Sequence, residues 1–113
     1  MEYNNKLPIY MQIKSMIKKD IIKKNIMLGE KLPSTREMAQ KFQVNPNTIT
    51  RVYKELEQEK ITFIKRGLGT FITDDEKILN ELKDSMGNKI IEDFFNGMYD
   101  LGYSKEEILE ILK

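Results

Sequence analysis

Asn45-Pro46-Asn47-Thr48 opens an apolar-periodic run only three residues after an earlier capped run closes at Phe42. Asn45 can cap the new helix, Pro46 suits its first position because the missing N–H would have no partner there, and Val44 can staple against Ile49 across the first turn. Two short helices joined this tightly place the second across the first, with its N-terminus standing free. A protruding helix end of that kind fits a DNA major groove. Ile49, Val52, Tyr53 and Leu56 recur at helical spacing and face a core. Asn47, Thr48, Thr50, Arg51 and Lys54 are left outside, and their amides, hydroxyls and cations match hydrogen bonding to bases and phosphates. A polar helix face ordinarily meets only water. Its neighbours therefore decide the matter.

Upstream, Leu32-Pro33-Ser34-Thr35-Arg36-Glu37 starts the first helix of the pair. Ser34 and Glu37 have the spacing of a capping box, and Met38, Ala39 and Phe42 supply the inward side. Downstream, the runs 61–65 and 70–73 are rich in β-branched and aromatic residues and flank a glycine-containing turn, which predicts a hairpin with Lys65 and Arg66 at its tip. Gly67 and Gly69 allow positive φ or close approach to phosphates, and Arg66 can enter a minor groove. The same glycines also suit a plain hairpin turn. A nucleotide-binding loop is discounted, because no Walker lysine-serine pair or βαβ context accompanies them. A tight helix pair followed by a basic hairpin predicts a winged helix-turn-helix.

Before that unit, Pro8 can occupy the first turn of a helix whose apolar stripe is Ile9, Ile13, Met16, Ile17 and Ile21. Asn25 can take the left-handed conformation that ends it, ahead of a turn-like stretch over 27–31. After the hairpin a helical pattern runs from Asp75 to Leu101, with Leu79, Leu82, Met86, Ile90, Phe94, Met98 and Leu101 at steps of three or four. Gly102 is a natural stop. Ser104 and Glu107 form a second capping box, opening a short helix through Ile108, Leu109, Ile111 and Leu112. Two helices cannot enclose a core alone, yet these also carry Ile78, Ile91, Phe95, Tyr99 and Tyr103, so the tail needs a partner surface. Packing back onto the first domain would supply one. A second copy of the chain would supply it and also match a two-fold operator. The expected architecture is mainly α with a small β-hairpin: a winged helix-turn-helix over 1–74, then a two-helix dimerisation tail over 75–113.

The charge follows the same division. Residues 1–73 carry 14 Lys and Arg against 7 Asp and Glu, a net +7, while residues 74–113 carry 5 against 11, a net −6; together they give the +1 of the whole 113-residue chain. One end is built to approach a polyanion that the other would repel. With no cysteine and no histidine, disulfides, thiolate metal sites and the commonest general base are missing. The carboxylates alternate with lysines at helix-surface spacing, which marks a solvated face and not a catalytic pair. No catalytic residue, metal or cofactor is expected. No apolar run nears the ~20 residues of a membrane span, and MEYNNKLP lacks a signal-peptide pattern, so a cytoplasmic protein without a membrane partner is expected.

These residues resemble the GntR superfamily of bacterial transcription regulators, and the short helical tail resembles its YtrA-type branch. The matching pattern is Pro8-Ile9-Tyr10 with Gln12-Ile13, then 29–34 with Arg36-Glu37 and Ala39, then 44–48, 53–57, Arg66-Gly67 and 69–71. The resemblance implies a dimeric repressor or regulator whose winged domain binds an operator, often near genes for membrane transporters. By that similarity Arg36, the segment 45–51 and the glycine-rich wing touch DNA. Many relatives have arginines at the positions of Pro46 and Thr50, which leaves Arg36 and Arg51 as the candidates for bidentate base contacts. Relatives commonly carry Gly where Lys60 and Asn25 stand. Combining both readings, the expected DNA contacts are Ser34, Thr35, Arg36, Asn45, Asn47, Thr48, Thr50, Arg51, Lys54, Lys65, Arg66, Gly67, Gly69 and Thr70, from a recognition helix over 46–59 and a wing over 65–70. The expected dimer contacts are Leu79, Leu82, Met86, Ile90, Phe94, Met98 and Leu101. A small-molecule effector could sit at the dimer seam near Phe94, Phe95, Met98 and Tyr99, although such a stripe more commonly serves core packing. The rival from another class is a winged-helix protein-interaction module, against which the charge division argues.

Overall fold

The computed structural model describes residues 6–113, so the segment MEYNN, part of the stretch read for a signal peptide, lies outside the described residues. The element order is α1 (Ile9–Ile22), α2 (Thr35–Phe42), α3 (Pro46–Gln58), β1 (Thr62–Lys65), β2 (Gly69–Ile72), α4 (Glu76–Asp100) and α5 (Lys105–Ile111). Contacts divide the chain into two compact units, one running to Asn80 and the other from Glu81 to Lys113, with the border inside α4. Among the described residues, no helix is long and apolar enough to cross a membrane.

In the first unit α1 contributes Ile13, Ile17 and Ile21, α2 contributes Met38, Ala39 and Phe42, and α3 contributes Ile49, Val52, Tyr53 and Leu56 to a common core. Leu32 and Ile61, from the segments beside the hairpin, and Ile72, from β2, close it. Ile9 belongs to the expected stripe but is exposed, because the first turn of α1 runs past the core's edge. Pro8 stands at the N-cap and not inside the helix, with an extended ψ of 139°. The left-handed residue that ends α1 is Lys24 (φ 62°), not Asn25; Asn25 follows it and donates its N–H to the Asp20 carbonyl at 2.9 Å. Lys60 does adopt positive φ (64°) before the hairpin, in the conformation that favours glycine.

α2 begins with both halves of the Ser34–Glu37 capping box formed. It ends at Gln43 in the left-handed conformation, with the Val44 N–H returning to the Ala39 carbonyl at 3.0 Å. Asn45 then caps α3 by accepting from the Asn47 N–H at 2.8 Å. The turn is therefore Gln43-Val44-Asn45, with the Gln43, Val44, Asn47 and Thr48 N–H groups all taken up locally. β1 and β2 pair antiparallel with Phe63 opposite Phe71 and Lys65 opposite Gly69, one residue off the expected limits. The stretch read as a turn at 27–31 does more than turn. Leu32 N–H donates to Thr70 O and Ile72 N–H to Glu30 O, both at 2.8 Å, and Lys31 bridges to Phe71, so the segment lies along β2 as a third strand-like edge.

In the second unit Gly102, at φ 93°, ends α4: its N–H donates to Tyr99 O, and that of Tyr103 to Met98 O. Ser104 and Glu107 form the second capping box. Ile108 is fully buried, whereas α4 has no fully buried residue. Ile90, Ile91, Phe94, Tyr99, Leu101, Leu109, Ile111 and Leu112 are exposed. Phe95 meets Phe94 and Tyr99 at ring distances of 5.6 and 6.0 Å.

Candidate nucleic-acid interface

The start of α2 and the hairpin line one open groove. Ser34 and Thr35 stand on one side, Lys65, Gly67, Gly69 and Thr70 on the other, with Lys31 and Tyr53 between them. Tyr53 reaches across from α3 and donates its hydroxyl to the Pro33 carbonyl at 2.8 Å, fastening α3 to the strand-like edge. Burial pushes that hydroxyl well above its ordinary pKa, with Glu37 adding to the effect. It therefore stays a donor throughout the physiological range.

Gly69 is required by its backbone, whose φ of 125° disfavours any side chain. The contact an added Cβ would make there, 2.8 Å from Cε, is with the flexible end of Lys31, which can swing aside. Gly67 has positive φ (79°) and open space around it, so only its backbone conformation asks for glycine. Lys65 does not project with the tip. Its ammonium lies 4.5 Å from the ring centre of Phe71 and 5.6 Å from that of Phe63, and the two rings stack at 5.9 Å. Arg66 remains exposed at the turn.

On α3, Asn47, Thr50, Arg51 and Lys54 are exposed and Thr48 is half-buried. Arg36 is exposed in the first turn of α2. Several expected contacts already have local work: the Ser34 hydroxyl caps α2, the Asn45 carbonyl oxygen caps α3, and the Thr50 hydroxyl donates back to Pro46 O at 3.1 Å. Each keeps part of its capacity, the Asn45 amide donors above all. Lys31 was missed by the sequence reading, because only the β2 pairing carries it to the groove.

Beside this surface runs a chain of alternating charges joining α1 to α3. Arg51 Nε donates to Glu55 at 3.3 Å, Lys14 Nζ meets the other Glu55 oxygen at 2.9 Å and also contacts Glu59, and Lys18 Nζ reaches Glu59 at 2.8 Å. Hydrogen bonding from Lys14 holds the Glu55 carboxyl below the usual range. For Glu59, desolvation pulls upward but the bonds from Lys14 and Lys18 outweigh it; for Lys14, desolvation pulls downward and the two glutamates leave it raised. Glu37 is lowered by the Ser34 backbone N–H it accepts. Depressed carboxylate values add stability that is present above the unfolded value of about 4.3 and disappears as pH falls through the folded ones. Thermal melts should thus hold level from pH 7 to about 5 and fall below about pH 4. Glu59→Gln should flatten that acid limb, and an unchanged limb would show that the network does not govern it.

The model of the family "Bacterial regulatory proteins, gntR family" matches residues 9–72, which span α1 through β2. The chain is 44% identical over 99% of its length to the uncharacterized HTH-type transcriptional regulator YhcF of Bacillus subtilis (strain 168), covering 93% of that protein. It is 37% identical over 80% of its length to the HTH-type transcriptional repressor YtrA of the same organism, covering 75% of it. Among solved structures it is similar to a GntR family transcriptional regulator from Listeria monocytogenes, with a TM-score of 0.88 and 36% identity over 97% of this chain and 96% of that one. The DNA-binding domain of AraR in complex with operator ORX1 matches 59% of this chain and 81% of its own, at 31% identity and a TM-score of 0.57. A family match over residues 9–72, more than half of the chain, joined to 44% identity over 99% of its length with a transcriptional regulator, places the chain in the GntR family of bacterial regulatory proteins.

Proposed function

We propose that this protein is a sequence-specific DNA-binding transcription regulator, a repressor, that grips a palindromic operator as a homodimer. The winged helix-turn-helix over 1–74 binds DNA, and the tail over 75–113 joins two copies through Leu79, Leu82, Met86, Ile90, Phe94, Met98 and Leu101. The observation that carries the reading is the exposed N-terminal half of α3, capped and braced through Tyr53 against the edge that carries the wing. The AraR domain, a relative of the same fold, is recorded with its operator, and YtrA bears the name of a repressor.

In this reading Asn47, Thr48 and Arg51 contact base edges in the major groove, Arg66 enters the adjacent minor groove, and Arg36, Lys54 and Lys65 neutralise phosphates. Selection of duplexes from a random pool should return two related half-sites in inverted orientation. Arg51→Ala should then relax preference at one position of each half-site. Lys54→Ala should weaken all duplexes alike and lower the salt slope by about one unit. Equal affinity for the selected and scrambled duplexes would end the reading.

A further inference from the structure

Arg51 is held in place before any DNA arrives. Its guanidinium carbon lies 3.5 Å from the ring centre of Tyr10, in the first turn of α1, so the flat cation rests on the aromatic face. Its Nε is bonded to Glu55 one turn further along α3. Glu55 is itself fixed from the far side by Lys14, again from α1. Even so, 59% of the Arg51 side chain remains exposed. Ring and carboxylate hold one face and one N–H, and among the described residues the terminal nitrogens stay free to donate.

We propose that Tyr10 is a positioning residue for sequence recognition, setting the angle at which Arg51 presents its terminal N–H groups to a base edge. The inference rests on the assignment of Arg51 to base contact given above. Its physical basis is entropic. A free arginine has a long side chain's rotamer freedom to lose on making a two-point contact. A guanidinium already stacked and bonded has given up much of it, and what it gains on binding then depends on the base it meets. The stack needs an aromatic face and no hydroxyl. The Glu55 carboxylate, which would repel phosphates if free, is neutralised between Arg51 and Lys14.

The test compares Tyr10→Leu, Tyr10→Phe, Arg51→Ala and the double variant Tyr10→Leu/Arg51→Ala. Each is measured by duplex selection from a random pool and by competition binding of single-base variants of the selected duplex. Tyr10→Leu should reduce discrimination about tenfold at the position that Arg51→Ala relaxes, leaving other positions unchanged, in keeping with the several-fold to hundredfold value of a bidentate base contact. Tyr10→Phe should retain the wild-type profile. The double variant should be no more relaxed than Arg51→Ala alone. A Tyr10→Leu protein that melts earlier or binds all duplexes more weakly, with its base preferences intact, would overturn the inference and leave Tyr10 as packing. If Arg51→Ala itself leaves the profile intact, the base-contact assignment fails instead, and the role of Tyr10 with it.

Discussion

Ile90→Glu combined with Leu101→Glu is expected to leave each chain folded and yet to weaken binding to a two-half-site duplex by about 10²- to 10⁴-fold. In one chain these side chains are 65% and 75% exposed, so the substitutions bury no charge within the monomer. In the proposed dimer they would put carboxylates into an apolar seam, where an unpaired charge is costly. Separated chains would hold half-sites singly, losing the gain that a second, tethered contact provides. Sedimentation should show a monomer, circular dichroism an unchanged helix content, and a single half-site duplex an affinity close to that of the unaltered protein. A variant that still sediments as a dimer, or that still prefers two half-sites, would remove the tail from the proposed interface.

Leu56→Ala should cost about 2–5 kcal/mol of stability, the range for deleting a fully buried leucine where the site cannot collapse. Leu56 is 0% exposed and belongs to the helix that also carries the recognition face. Against a typical total of about 5–15 kcal/mol, such a loss removes a large part of the margin. Urea unfolding at fixed protein concentration should show a lower midpoint with an unchanged slope. A change under about 1 kcal/mol would mean that the space left behind is refilled by its neighbours.

Much of this architecture was legible because local rules agreed with one another. Both capping boxes, the Asn45 cap with Pro46, the inward faces of α2 and α3, the hairpin and the Gly102 stop are written in short-range patterns that solvent and backbone geometry enforce. The end of α1 was placed one residue late, since lysine in the left-handed conformation costs enough that asparagine looked the better candidate. Local pattern carried no trace of the pairing of 29–32 with β2, which depends on residues some forty positions apart. For that reason Lys31, which lines the groove beside the hairpin, was absent from the expected contacts. The polar face of α3 was visible as a set, but the local commitments of Ser34, Asn45 and Thr50 and the stacking of Arg51 on Tyr10 exist only in three dimensions. Ile108 was read as one of four apolar residues of the last helix, and its full burial, beside the exposed Leu109, Ile111 and Leu112, is visible only in three dimensions.

The strand-like edge beneath the hairpin has a mechanical consequence. With Leu32 and Glu30 bonded along β2 and Tyr53 tied to Pro33, the hairpin is anchored along one edge as far as Thr70, close beside the turn that carries Arg66. A pre-shaped arm of that sort has little disorder to surrender on landing, so capture speed should be governed by long-range attraction between charges and not by the folding of a loop.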